Sequence, residues 1–329
     1  MDSALDSKNS QKVPNKPLKT MSTQPSDLRL EQGSVQPKGF PSLPLDWDSE
    51  WKTFLSQDGS THLFETLHLR RDAQGPRALA VFHGLGEYSG RYLHFPHYLD
   101  RTVDAVYALD HRGHGRSEGI RGHVERFDLY AQDVQTAIQR LDEALKQKWG
   151  HSEIHVLGHS MGGLITLVSL FQNTSLPVKS VSISAPLLGV KVRVPPVKKM
   201  AALALSKMWG SLQMATTLDA QFLSHDLEVI KAYEKDRLVH NKVTARFFTE
   251  LQSAMAGILA RSTGFNYPLQ FLIPMQDHVV DADVALQFFR NLKFRDKVLK
   301  TYPDFFHEAF NELGKETVFG DLTNWIRMH

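Results

Sequence analysis

Cysteine is absent from the 329 residues, which excludes a disulfide framework, thiolate metal sites and a thiol nucleophile. The compartment stays open on that ground, since a chain without cysteine suits either redox environment. A surplus of one charge is missing too. Against 38 Lys and Arg stand 36 Asp and Glu, a formal net charge of +2, so nothing draws the chain to nucleic acid as a partner. No apolar run reaches membrane-spanning length, and the reading is a soluble or peripheral protein. Aromatic residues do not occur before Phe40, and the stretch up to Gly39 is rich in Ser, Gln, Lys, Pro and Asp. Such a composition buries too little apolar surface to offset ordering entropy, so residues 1–40 are expected to form a disordered tail. The tail has no apolar h-region and does not read as a secretory signal. Met21 offers a second start. A cytoplasmic protein, peripheral at a membrane when it meets one, is the expectation.

What is present is a core-forming chain, 42% hydrophobic, sufficient for one large domain with an insertion. Runs at 51–55 and 61–69, parted by the turn signal Asp58-Gly59, predict an antiparallel lead-in. Apolar runs at 78–82, 105–109, 154–157 and 178–184 then alternate with helical patterns, the clearest over 127–149. This alternation predicts an α/β fold, a mostly parallel sheet with helices on both faces and functional loops at the strands' C-terminal ends. Between Ser184 and Leu269 the pattern becomes helical, notably over 228–235 and 243–260. The segment is too long for a loop and is expected to cap the loops. The domain reading is a body over 41–186 and 267–329, with a helical cap over 187–266.

One motif carries chemistry. Ile154-His155-Val156-Leu157 leads into Gly158-His159-Ser160-Met161-Gly162, and Leu164-Ile165-Thr166-Leu167 follows. Strand, Gly-x-Ser-x-Gly, helix is the pattern of a nucleophile elbow, in which small residues flank the serine because the turn is tight. The serine would stand at a helix N-terminus, where the dipole favours developing negative charge. A serine nucleophile needs a base, an acid to orient it and amide donors for an oxyanion. The strand-like run Leu269 to Ile273 ends at Pro274, and Asp277 lies just beyond. His307 follows the strand-like run Lys297 to Tyr302, in the loop Asp304-Phe305-Phe306-His307-Glu308. The order serine, acid, histidine is that of α/β-hydrolases. Upstream, Ala78 to Phe82 runs into His83-Gly84-Leu85-Gly86-Glu87, and the expected oxyanion donors are the amides of Leu85 and Met161.

Three segments together, His83 to Tyr92, Leu109-Asp110-His111-Arg112-Gly113-His114-Gly115-Arg116-Ser117 and Gly158 to Gly163, resemble the monoacylglycerol lipase and lysophospholipase group of serine α/β-hydrolases. The likeness extends from about Trp47 to the C-terminus. It implies Ser160 as nucleophile, Asp277 as acid, His307 as base, and Leu85 and Met161 as oxyanion donors. It also implies a single-chain lipid ester as substrate, monoacylglycerol or lysophospholipid. The chain departs from the group just before the acid, where small residues are usual and Pro274-Met275-Gln276 stand here. Asp281 is therefore kept as the alternative acid.

This chemistry calls for no cofactor and no metal, and the sixteen histidines are scattered. His111 and His114, among Gly and Arg, read as structural. The entry to the expected cap carries Lys191, Arg193, Lys198 and Lys199 beside the apolar run Met200 to Leu205, a pairing that fits either a membrane surface or a solvated cluster beside a packed helix. Met200, Met208, Trp209 and Met214 fit either a lipid tunnel or the core. A peptidase or acyltransferase would use the same three residues, and cap carboxylates such as Glu228, Glu234 and Glu250 could then bind an amine. A non-catalytic binding protein fits less well, because no member of the three is missing.

Overall fold

The computed structural model describes residues 35–99, 101–191, 196–216 and 218–329, without the side chains of 196–199 and 201–202. Two strands, β1 (Trp47–Leu55) and β2 (His62–Arg70), form the antiparallel lead-in. The turn between them is tied by Ser56 and Ser60 to the Asp58 carboxylate, and Gly59 takes the positive φ of 70° that the turn demands. β2 then pairs antiparallel with β4 (Ala105–Asp110), and from there the sheet is parallel. Its eight strands lie in the order β1-β2-β4-β3-β5-β6-β9-β10, with β3 at Arg77–Phe82, β5 at Glu153–His159, β6 at Ser180–Ser184, β9 at Leu269–Pro274 and β10 at Lys297–Tyr302.

The parallel strands are near-continuous apolar runs because both faces are covered. Alternation along β3 divides the core: Ala78, Ala80 and Phe82 join one apolar cluster, Leu79 and Val81 the other. The first cluster is closed by α2 (Asp128–Trp149) and α3 (Met161–Gln172), the second by α1 (Phe95–Tyr98) and α8 (Glu316–Met328). α2 presents Val134, Ala137, Ile138, Leu141 and Leu145 at helical spacing and ends at Gly150, whose left-handed backbone returns its N–H to Lys146. From β3 the chain order runs outward in both directions, to β4 on one side and β5 on the other. The crevice at the C-terminal ends of β3 and β5 is the switch point where open α/β sheets bind ligands.

Between β6 and β9 lie α4 (Pro196–Met208), α5 (Leu227–Lys235) and α6 (Ala245–Leu259), as the helical patterning anticipates. A two-stranded antiparallel pair is added, β7 (Gln213–Ala215) with β8 (Lys242–Thr244). Three residues are too few to show alternation, so sequence periodicity could not reveal them. α7 (Ala282–Asn291) follows β9 and is N-capped by Asp281.

The boundary of the expected tail needs correction. Residues 1–34 lie outside the described residues, but residues 35–40 are bonded to the body. The Val35 amide donates to the Asp236 carboxylate, the Gln36 side chain to the Gly90 carbonyl, and the Phe40 ring packs edge-on to His94 beneath Lys315. The low apolar content that predicts disorder does not count main-chain and cation–π contacts.

Candidate active site

Ser160 sits where β5 meets α3, with φ 53° and ψ −118°. A non-glycine residue in that region is strained by about 1–3 kcal/mol and is held only by its surroundings. The hold is visible: the Ser160 N–H donates to Ser184 O at 2.9 Å, and its carbonyl accepts from Leu187 and Leu164. Both flanking glycines are required by contact. A methyl on Gly162 would overlap the Phe82 and His83 carbonyls, and one on Gly158 would meet Thr166 and the Gly162 carbonyl.

The structure brings the three expected residues together. His307 Nε2 lies 2.9 Å from Ser160 Oγ, and its Nδ1 lies 2.6 Å from Asp277 Oδ2. Asp277 is fully buried, and its other oxygen accepts the amides of Val279 and Val280. Burial alone would raise this carboxyl, but His307 and those amides hold it below the usual carboxylate value. Burial would likewise lower His307, yet Asp277, with Glu308 and Glu87 near, keeps the imidazole above its ordinary value. Asp281, the alternative acid, is not at the histidine; its carboxylate caps α7 by accepting the Asp283 amide. The unusual Pro274-Met275-Gln276 approach is held by Met275 N–H to Tyr302 O and Gln276 N–H to Phe305 O. Those bonds fix the loop that small residues would otherwise allow to turn.

At the end of β3, the Gly84 amide donates to Glu87 at 2.6 Å, and Leu85, the expected donor, follows it and lines the cavity at Ser160. Met161 is the first residue of α3, where an N–H has no acceptor within its own helix. Gly84 packs directly on the serine, since a Cβ there would lie 3.1 Å from Ser160 Cβ.

A cavity of about 140 Å³ opens at Ser160. Its lining combines apolar residues, among them Leu85, Leu187, Val190, Leu218, Leu251 and Val279, with the polar Glu87, Arg91, His159, Tyr233 and Glu308. Of the residues expected to line a lipid tunnel, Met200, Met208 and Trp209 are instead 70%, 85% and 62% exposed, and none of the four lines the cavity. Lys191 is not a free surface charge either, because its Nζ donates to the Asp277 carbonyl at 2.9 Å. Arg193 lies outside the described residues, and the side chains of Lys198 and Lys199 do too. His111 and His114 are buried against His83 and His240, with ring centroids 4.4–6.5 Å apart. Both are fully buried.

Sequence reasoning missed the ionic cluster among the cavity's lining residues. Arg91 Nη1 contacts Glu87 at 2.9 Å and Glu308 at 2.6 Å, and its Nη2 contacts Glu308 at 2.8 Å. Burial pushes Glu308 up, but Arg91 overrides it and the carboxyl falls to about 2; Glu87 stays above its usual value because burial prevails there. The available signals were the i,i+4 spacing of Glu87 and Arg91 and an acidic residue directly after His307.

The comparisons agree with the motif resemblance. Over 260 residues the chain is 32% identical to a monoacylglycerol lipase of Mycolicibacterium smegmatis, covering 77% of this chain and 89% of the relative. It is 27% identical over 268 residues to an uncharacterized abhydrolase domain-containing protein of Dictyostelium discoideum, covering 80% of this chain and 28% of that longer one. A solved structure of a soluble variant of the monoglyceride lipase of Saccharomyces cerevisiae superposes with a TM-score of 0.77 at 20% identity, covering 89% of this chain and 99% of the other, which bears on the fold. The model of the serine aminopeptidase S33 family of hydrolases matches residues 74–314. The chain belongs to that family of α/β-hydrolases.

Proposed function

We propose that this protein hydrolyses carboxylic esters of single-chain lipids through an acyl-enzyme, with Ser160 as nucleophile, His307 as base and Asp277 as the acid that orients it. The observation that carries the reading is the continuous line of contacts, Ser160 Oγ to His307 Nε2 at 2.9 Å and His307 Nδ1 to Asp277 at 2.6 Å, at a cavity lined largely by apolar side chains. Asp277 fixes the tautomer with hydrogen on Nδ1, leaving Nε2 to accept the serine proton as Oγ attacks the ester carbonyl. The amides of Leu85 and Met161 receive the oxyanion. The imidazolium then protonates the leaving alcohol, and water repeats the cycle to release the fatty acid. The apolar lining residues suit one acyl chain, and the polar ones suit a hydroxyl-bearing leaving group. A monoacylglycerol or a lysophospholipid fits this division, and a relative named monoacylglycerol lipase and another named phospholipase support it.

The insertion serves as a cap, since Leu218, Tyr233, His240 and Leu251 come from it to line the cavity. Its exposed Met200, Leu203, Met208 and Trp209 fit peripheral contact with a lipid surface. A peptidase reading, which the family's description invites, finds little support among the described residues: Glu228, Glu234 and Glu250 do not line the cavity, and its Glu87 and Glu308 are held by Arg91.

The test is fluorophosphonate labelling of the wild type and Ser160→Ala, followed by turnover of a monoacylglycerol, a lysophospholipid and an aminoacyl anilide. Labelling and ester turnover should both vanish in the variant, with the melting temperature kept. Faster turnover of the anilide than of either lipid would overturn the reading. Trp209→Ala should slow turnover of vesicle-borne lipid while sparing a water-soluble ester; equal effects on both would remove the surface-contact role.

A further inference from the structure

The deepest ionic cluster outside the three site residues is the one around Arg91. It contains two carboxylates and one guanidinium, with side chains 5%, 4% and 8% exposed. Burying such a triad is not an efficient source of stability, because desolvation offsets most of the attraction and apolar replacements often serve as well. Its connections suggest a different use. Glu87 Oε1 accepts the Gly84 amide at 2.6 Å and the Tyr92 hydroxyl at 3.0 Å, which fixes the turn that presents Leu85. Glu308 directly follows His307, and its carboxylate is held by both nitrogens of the Arg91 fork and by Asn311 Nδ2 at 2.8 Å. Its amide donates to Leu223 O at 2.8 Å, tying the same loop to the insertion.

The triad therefore joins the two loops close to the reacting groups, while the His94 bond to the Phe310 carbonyl and the Phe95–Phe310 ring contact tie them further along the chain. One follows β3 and would supply an oxyanion donor; the other follows β10 and would supply the base. Both must meet one substrate carbonyl, and a misplacement of about 1 Å there can lower turnover by roughly 100-fold. A planar fork gripping two carboxylates resists sliding in a way that a lysine point charge does not.

We propose that Glu308 is a positioning residue, which through Arg91 and Glu87 locks the loop of His307 to the loop of Leu85. The inference rests on the serine-hydrolase reading. The role is one of position and not of proton transfer: Glu308 sets where the base stands relative to the oxyanion amides, and its charge helps keep the imidazole above its ordinary value.

The experiment is Glu308→Gln, Arg91→Lys and Glu87→Gln, each read by melting temperature, by kcat and KM on a short-chain nitrophenyl ester, and by the pH profile of kcat/KM. Glu308→Gln keeps the shape and removes the charge. It should lower kcat by roughly 10- to 100-fold with KM changed less than about twofold, and move the acid limb of the profile to lower pH. Arg91→Lys should keep the charge and still lose most of the turnover. The double variant Glu87→Gln/Glu308→Gln should lose far less than the product of the single losses, because both act through one arginine. A purely structural brace would instead lower the melting temperature and leave kcat and the acid limb of the folded enzyme unmoved, which overturns the proposal. If Glu308→Gln fails to fold, Glu308→Asp tests the positioning role alone: it keeps the charge and shortens the reach, so kcat should fall while the acid limb stays in place, and an unchanged kcat overturns the proposal. Absence of fluorophosphonate labelling in the wild type would sink the hydrolase reading itself; normal labelling with an unaltered Glu308→Gln profile would sink only the positioning role.

Discussion

At the scale of single residues, geometry separates two aspartates that sequence alone could not. Asp277 and Asp281 both follow β9 in the loop where an orienting acid belongs, but only Asp277 reaches His307 Nδ1, while Asp281 caps a helix. Asp277→Asn should therefore lower kcat by about 10³–10⁴-fold by disturbing the imidazole's tautomer. Asp281→Ala should remove a cap, lowering stability by about 1 kcal/mol with turnover kept. Steady-state kinetics and a thermal melt on the two variants decide it; greater loss of turnover from Asp281→Ala would reverse the assignment. Ser160 was legible because a strained turn admits few neighbours, and the two glycines record that demand in the sequence. Glu308 was not legible in the same way. Its meaning comes from an arginine 217 positions away, and nothing local marks a loop glutamate as buried.

Whole elements were legible where burial is uniform or periodic. The strands β3, β4, β5, β6 and β9 announce themselves as apolar runs and α2 as a stripe, because each is fixed by the core it faces. The pair β7 and β8 left no trace, being short and largely exposed. The N-terminal segment was misjudged at its inner edge, since composition weighs apolar surface and the contacts there are polar. That difference can be measured by truncation. A chain beginning at Val35 should melt where the full chain does, the outcome expected from the low apolar content of the sequence over 1–34. A chain beginning at Ser42 also loses the bonds to Asp236 and Gly90 and the Phe40 contacts, and should melt about 2–4 °C lower. Asp236 also accepts the Tyr88 hydroxyl at 2.7 Å, so the deeper cut should loosen the turn behind the oxyanion loop and lower kcat modestly. Identical melts for both truncations would show that the segment contributes nothing to the body.

For the whole molecule, the buried histidines set the response to acid. Burial holds His94, His111 and His159 near about 3 and His68, His155 and His240 near about 4. It also holds His83 and His114 well below their ordinary value, where the neighbouring rings reinforce it. In the unfolded chain each titrates near about 6.5. Between those values the unfolded chain binds more protons than the folded one, so stability is complete above about pH 6.5 and is lost as pH falls through this window. At pH 5 each such group withdraws on the order of 2 kcal/mol, a large share of the roughly 5–15 kcal/mol that holds a typical domain. The melting temperature should be flat from pH 8 to 7 and fall steeply below pH 6. His307 moves the other way: its raised value means the imidazole loses its basic form at a higher pH than the unperturbed group would. Turnover should thus decline on acidification before the fold gives way, and should return on neutralising a sample that has not unfolded. Parallel pH series of kcat/KM and of melting temperature test this ordering. Coincident transitions would mean that His307 is not raised by its carboxylate partners, and that unfolding alone sets the acid limit of activity.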